Sequence, residues 1–169
     1  MKDVMIDIET LGTRSTSMIV QIGACYFDRK TGKIGPKFRQ NISSGFDDRF
    51  TIDASTISWW LSQSDEARAS IAKDGKDLTT ILTNLRDWLG EAKFVWSHAT
   101  FDIPILLNAF EKCDLHFPIH YTKMRDIRTL MDIANIDTKS LKREGTHHDA
   151  LADCEYQVAY CTKALDSLG

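Results

Sequence analysis

The chain has no run of eighteen or more apolar residues, which excludes a helical membrane span at the level of sequence. It has no apolar signal core near its start either, because Asp3, Asp7 and Glu9 interrupt that segment. A cytoplasmic location is the resulting expectation. The four cysteines, Cys25, Cys113, Cys154 and Cys161, make no C-x-x-C pair and no zinc spacing. Cys154 and Cys161 fall two turns apart on one expected helix, too far for a bridge, so all four read as free thiols, mostly in the core. No internal repeat, low-complexity tract or linker interrupts the chain. Excess positive charge is also missing. The net charge of −3 gives no global signature of a nucleic-acid binder, although bound cations would add charge that this count omits. What is present is ordinary for a globular protein: 43% hydrophobic and 27% charged residues over 169 positions. That composition argues against disorder and fits a single domain, residues 1–169, with a core of its own.

The first informative stretch is residues 4–12, VMIDIETLG. Val4, Ile6 and Ile8 alternate as a strand requires, and the opposite face carries Met5, Asp7 and Glu9. Two carboxylates on one strand face repel each other, and more so as water is removed. Either this face meets solvent, or a hard divalent cation such as Mg²⁺ neutralises both groups.

Further strands are expected at Met18–Asp28, at Ile34–Ile42 and over 93–97, with a short one near Tyr121–Met124. Pro36 marks the third as an edge or bulged strand. Helices are expected at Ser55–Leu61 and Ser64–Ile71, then from an Asp77 cap to Gly90, at Phe101–Lys112 with Pro104 in its first turn, and at Ile127–Ala134. The last helix is the clearest: Leu151, Cys154, Val158, Cys161 and Leu165 form one apolar stripe. Asp153 lies outside that stripe, so core packing does not account for it. The order of elements predicts an α/β fold: a mixed sheet of about five strands, three antiparallel and then parallel, flanked by helices.

Four carboxylates, Asp7, Glu9, Asp102 and Asp153, sit at predicted strand ends or helix starts, where α/β sheets place their sites. Individually, Asp102 and Asp153 are explained as first-turn acids complementing a helix dipole. Together they form a constellation, and His148 stands five residues before the last of them. A continuous helix would rotate those two side chains about 140° apart. His148 therefore belongs on the loop before the helix, with Asp149 or a neighbour as cap.

Three segments carry a resemblance: Asp7-Ile8-Glu9-Thr10 (D-x-E-T), Phe101-Asp102 (F-D) and His148-Asp149-Ala150-Leu151-Ala152-Asp153 (H-x-A-x-x-D), in this order and spanning almost the whole chain. The chain resembles the DnaQ-like (DEDDh) 3′–5′ exonucleases of the ribonuclease H-like fold. Asp149 stands where the sibling subgroup has Tyr, which places the chain with the histidine group. Residues 124–130, MRDIRTL, resemble the family's extra Asp-containing segment, and TISWWLSQSDEAR resembles small members related to ribonuclease T, exodeoxyribonuclease VIII-type nucleases and a bacterial exoribonuclease family. His98 departs from the pattern, since relatives commonly carry Asn there, and is assigned to packing or a local hydrogen bond.

The resemblance implies a metal-dependent 3′–5′ exonuclease acting on RNA or DNA, single-stranded or at a 3′ overhang, and releasing nucleoside 5′-monophosphates. Asp7, Glu9, Asp102 and Asp153 would hold two divalent ions, Mg²⁺ or Mn²⁺, with Asp7 as the bridge. His148 would be the general base, its pKa raised by neighbouring carboxylates and lowered by bound metal. Thr10, Leu11, Trp60 and Phe101 would meet the terminal nucleotide. Adjacent helical residues point about 100° apart, so only one of Trp59 and Trp60 is expected to face the site. Lys139, Lys142 and Arg143 are candidates for phosphate contact. Relatives of this size imply a homodimer. Two other classes compete: a catalytically silent binding module, which should have lost an acidic residue, and a phosphodiesterase acting on small nucleotides.

Overall fold

The strand bearing Asp7 and Glu9 is the middle of a sheet. In a computed structural model, which describes residues 1–43, 47–73, 75–140, 143 and 145–169, β1 (Asp3–Thr10) is buried at all eight positions. β2 (Ile19–Phe27) and β3 (Ile34–Asn41) continue the sheet antiparallel on one side. β4 (Phe94–Ser97) and β5 (Met124–Asp126) add parallel strands on the other, giving the order β3-β2-β1-β4-β5. This is the mixed five-stranded sheet that the element order predicts. It also removes the solvent-edge explanation for the Asp-x-Glu pair. Pro36 lies on β3, an edge strand, where its missing N–H breaks no ladder.

Alternation along β1 splits the core in two. Val4, Ile6 and Ile8, with Ile22 and Ala24 of β2, pack against α3 (Leu78–Leu89) and α4 (Asp102–Lys112). Met5, Cys25, Phe27 and Trp96 pack on the other face against α5 (Ile127–Ile133) and α6 (Ala150–Ser167). Two short helices, α1 (Ala54–Leu61) and α2 (Asp65–Ala72), precede α3. Asp77 caps α3 by accepting from the Thr80 N–H at 2.9 Å, and Gly90 ends it at φ 31°, as the sequence indicates. All four cysteines are buried free thiols.

One expectation shifts. The last strand is Met124–Asp126, and Tyr121–Lys123 form a 3-10 turn. Tyr121, Thr122 and Lys123 are exposed, and the strand is placed by its partner through Val95↔Met124, Trp96↔Arg125 and Ser97↔Asp126. Pairing with β4, not local pattern, sets its register.

Gly23 decides how the last helix meets the sheet. It pairs with Asp7, and a Cβ on it would lie 2.2 Å from the backbone carbon of Ala150. The absent side chain lets the start of α6 rest on β2. The Cys154 thiol fills the next position, 3.3 Å from the Gly23 carbonyl oxygen. A buried polar network holds the same junction. Gln21 Oε1 accepts from the Ala150 N–H at 2.6 Å, while its Nε2 donates to Asn41 Oδ1 at 2.8 Å and to the Ser70 carbonyl at 3.0 Å.

Candidate active site

Four structural devices bring the carboxylates to one crevice beside the C-terminal ends of β1 and β4. β1 contributes Asp7 and Glu9, both buried. The turn after β4 positions Asp102 as the first residue of α4, with Oδ2 accepting from the His98 N–H at 2.8 Å. Asp126, at the end of β5, steadies that turn by accepting from the Ala99 N–H at 2.9 Å, and its other oxygen caps α5. α6, seated on Gly23, carries Asp153 in its first turn. Asp149 is its N-cap and accepts from the Ala152 N–H at 3.2 Å, while Arg39 clasps Asp149 from β3 at 2.7 Å.

The ligating atoms fall into two groups, each within 4.8 Å: Asp7, His98 and Asp102, and Glu9, His148 and Asp153. All five residues of the expected catalytic set are thereby brought together. His148 stands on the loop before α6, as its spacing requires, and occupies the left-handed region at φ 61°. Its carbonyl accepts from the Ser70 hydroxyl at 3.2 Å. The ring packs edge-on against Trp59, with centroids 4.6 Å apart.

Burial and mutual repulsion of the carboxylates raise their pKa values. Desolvation raises the Asp7 pKa to about 7, despite Gln157 Nε2 donating to Asp7 Oδ1 at 2.7 Å. Desolvation and then the Asp7 and Asp102 carboxylates raise Glu9 to about 9. Asp102 is pushed well above its usual value by burial and by Asp7. His98 is held down to about 4, by burial first and then by Arg128. His148 is also lowered, by burial, Arg143 and His147. Of the two opposed influences expected on this ring, lost hydration and nearby positive charge set the direction.

Arg143 supplies the positive charge. It forms an ion pair with Asp153. The guanidinium thus lies beside the carboxylates, at the edge of the site. Its Nε is buried with no hydrogen-bond partner, so the ion pair leaves the group incompletely satisfied. Lys139 is exposed, its N–H donating to Asp137 Oδ1 at 2.9 Å, and Lys142 lies outside the described residues. The donor set fits divalent cations: hard carboxylate oxygens with two imidazoles, in two groups of ligating atoms each within 4.8 Å.

A cleft of about 390 Å³ opens beside the carboxylates, bordered by Glu9, Thr10, Thr13, Thr56, Trp59 and Phe101 among others. Thr10 is buried, its hydroxyl donating to the Gly12 carbonyl at 2.6 Å. Trp60 also borders the cleft but is 5% exposed, with Nε1 donating to the Thr10 carbonyl at 2.9 Å; Trp59 is 41% exposed. Both indoles thus reach the cleft, against the expectation of one, because α1 ends over it and turns the pair edge-to-face at 5.0 Å. Leu11 does not line the cleft and packs against the α3–α4 core, while Phe101 does both. Sequence reasoning missed Gln157 and the metal-ligating geometry of His98. Gln157 carried a signal: a polar residue one turn beyond Asp153 on the same helix.

Residues 2–165 match the family model described as the 3′-5′ exoribonuclease Rv2179c-like domain. The chain belongs to this family. It is a 3′–5′ exonuclease. An exodeoxyribonuclease of Enterobacteria phage T4 is 27% identical over 98% of this chain and 89% of its own length. Among solved structures, the nuclease domain of 3′hExo, a DEDDh family member bound to rAMP, superposes with a TM-score of 0.71 at 13% identity, covering 97% of this chain and 91% of that one. An E. coli ExoI–ssDNA complex gives 0.70 at 16% identity, covering 95% of this chain but 39% of that one. At these identities the structures show the shared ribonuclease H-like fold. Among the described residues of the exonuclease, no helix is long and apolar enough to cross a membrane.

Proposed function

We propose that this single domain removes nucleotides from the 3′ end of single-stranded nucleic acid or a 3′ overhang, using Asp7, Glu9, Asp102 and Asp153 to hold two divalent ions, Mg²⁺ or Mn²⁺. The observation that carries the reading is the pair of ligating groups meeting at buried Asp7 and Glu9. When bound, the ions would supply charge neutralisation at the phosphate and an activated water. Asp7, central on β1 and held by Gln157, orients the two halves of the site. His148 accepts the proton from the attacking water at its ring. Its lowered pKa keeps the imidazole neutral and able to accept near neutrality. Asp149 and Ser70 fix the loop that carries the ring. Asp153, which now pairs with Arg143, would exchange that partner for a divalent ion, which would supply the neutralising charge there.

Thr10, Trp59, Trp60 and Phe101 border the cleft that receives the terminal nucleotide. Trp59 offers the exposed indole for stacking, and Trp60 fixes the Thr10 backbone beneath it. The family description favours RNA and the phage relative favours DNA. A cytoplasmic homodimer completes the proposal, its mass to be checked by light scattering. The deciding assay incubates 5′-labelled RNA and DNA of one sequence with Mg²⁺, Mn²⁺ or EDTA. A metal-dependent ladder shortening from the 3′ end supports the reading, and the faster polymer identifies the substrate. No ladder on either polymer, from folded protein with metal, overturns it.

A further inference from the structure

The opposite end of the sheet carries the reverse charge. Phe94, the first residue of β4, pairs with Asp3 at the start of β1. Four cations converge on its ring: Arg29 Cζ at 4.7 Å, Lys93 Nζ at 5.4 Å, Lys123 Nζ at 5.5 Å and Arg125 Cζ at 4.5 Å. Arg29 forms an ion pair with buried Asp3, which also accepts from Trp96 Nε1 at 3.0 Å. Among the described residues, Lys93, Lys123 and Arg125 make no ion pair. Arg125 is instead held by backbone carbonyls, with Nη1 donating to Thr122 at 2.9 Å and Met124 at 2.8 Å. Two guanidinium groups are therefore held in place, and the two lysines beside them are exposed.

A chain of net charge −3 has gathered three unpaired cations on one ring, where they repel each other. Cation–π attraction explains a single contact and leaves the convergence unexplained. A polyanion with regularly spaced charges would relieve it. We propose that this cluster is a second contact site for the phosphate backbone of nucleic acid, engaging substrate away from the end being cleaved. The proposal rests on the exonuclease reading for the choice of polyanion. From Asp3 to Glu9 along β1 is roughly 20 Å at about 3.4 Å per residue. β1 is buried throughout, so a bound strand passes over the surface between its two ends, a path longer than roughly 20 Å. A very short oligonucleotide reaches one end only, whereas a longer strand reaches both.

The test measures binding by fluorescence anisotropy in EDTA, where no cleavage occurs, with labelled strands of about four and about 24 nucleotides. Wild-type protein is compared with the Lys93→Gln/Lys123→Gln double variant, both positions exposed, and separately with Arg125→Gln. The expected result is about tenfold weaker binding of the long strand by the double variant. Its log–log salt slope should flatten by about 1.4, two phosphates at about 0.7 each. Binding and metal-dependent trimming of the short strand should be unchanged. Unaltered affinity and slope for the long strand in both variants would overturn the proposal. So would equal weakening on the short strand, or competition by polyglutamate as effective as that by nucleic acid, which would indicate an acidic protein partner. Wild-type protein that trims neither strand in metal overturns the exonuclease reading. The long-strand binding still decides the cluster in that case.

Discussion

The two ends of β1 are opposites built on one strand. At its C-terminal end Asp7 and Glu9 are buried beside Asp102 and Asp153, and the imbalance is negative. At its N-terminal end Asp3 is the single buried acid among four cations, and the imbalance is positive. Net charge averages these poles to a small number and conceals both. The difference lies in solvation. The acidic end is desolvated, so its charge appears as raised carboxyl pKa values. The basic end keeps exposed lysines, so its charge remains available to a partner in solution.

The comparison is broken most severely by removing the charge at the acidic end. Asp7→Asn should reduce trimming by on the order of 10³-fold or more, the scale seen when one member of a catalytic unit is lost. The same substitution should raise the melting temperature in EDTA, because one buried like charge has gone. Lower stability in EDTA would show that the Asp7 charge supports the fold.

Gly23→Ala tests the seating of α6. A Cβ 2.2 Å from the Ala150 backbone forces the helix off the sheet. A loss of about 1–3 kcal/mol is expected from overpacking, measured by denaturant unfolding. Weaker Mn²⁺ binding by calorimetry should accompany it, as Asp153 moves away from Glu9. Full stability with native Mn²⁺ affinity would mean that the junction gives way without disturbing the site.

The poles should also differ with pH. A carboxyl whose pKa rises on folding favours the folded state only while protonated, so stability falls as pH climbs through the raised value. For Asp7 the window runs from 3.8 to about 7, and for Glu9 from 4.5 to about 9. His98, lowered from 6.5 to about 4, acts in the opposite direction between those values. The fall should therefore be clearest between pH 6.5 and 9 in EDTA. Mn²⁺ should offset it, with a thermal shift that grows over the same interval as metal replaces protons on the carboxylates. A metal-induced shift independent of pH would argue against these carboxylates as ligands.

The smallest effect concerns the cleft. Trp59→Ala should weaken short-strand binding by about 1–3 kcal/mol, the value of one base–aromatic stack, with little change in stability because the indole is 41% exposed. Trp60→Ala should instead lower stability, since it removes a buried side chain and its hydrogen bond to Thr10. Equivalent behaviour of the two variants would erase the distinction between an exposed platform and a buried support.

Sequence by itself determined the α/β class, the apolar stripe of α6, the caps at Asp77 and Asp149, and the five residues of the D-x-E, F-D and H-x-A-x-x-D motifs. These were legible because periodicity, caps and motif spacing are local properties of the chain. Tertiary structure decided what depends on distant partners. The register of β5 came from β4, and Trp59 and Trp60 took separate roles from the way α1 crosses the cleft. His98 joined Asp7 and Asp102, Arg143 settled on Asp153, and Gln157 reached Asp7 from 150 residues away. The basic cluster assembled residues 29, 93, 123 and 125 from three separate segments. No local pattern marks such meetings, because they arise when strands distant in sequence become neighbours in the sheet and side chains at their ends share one volume of low dielectric or one patch of solvent.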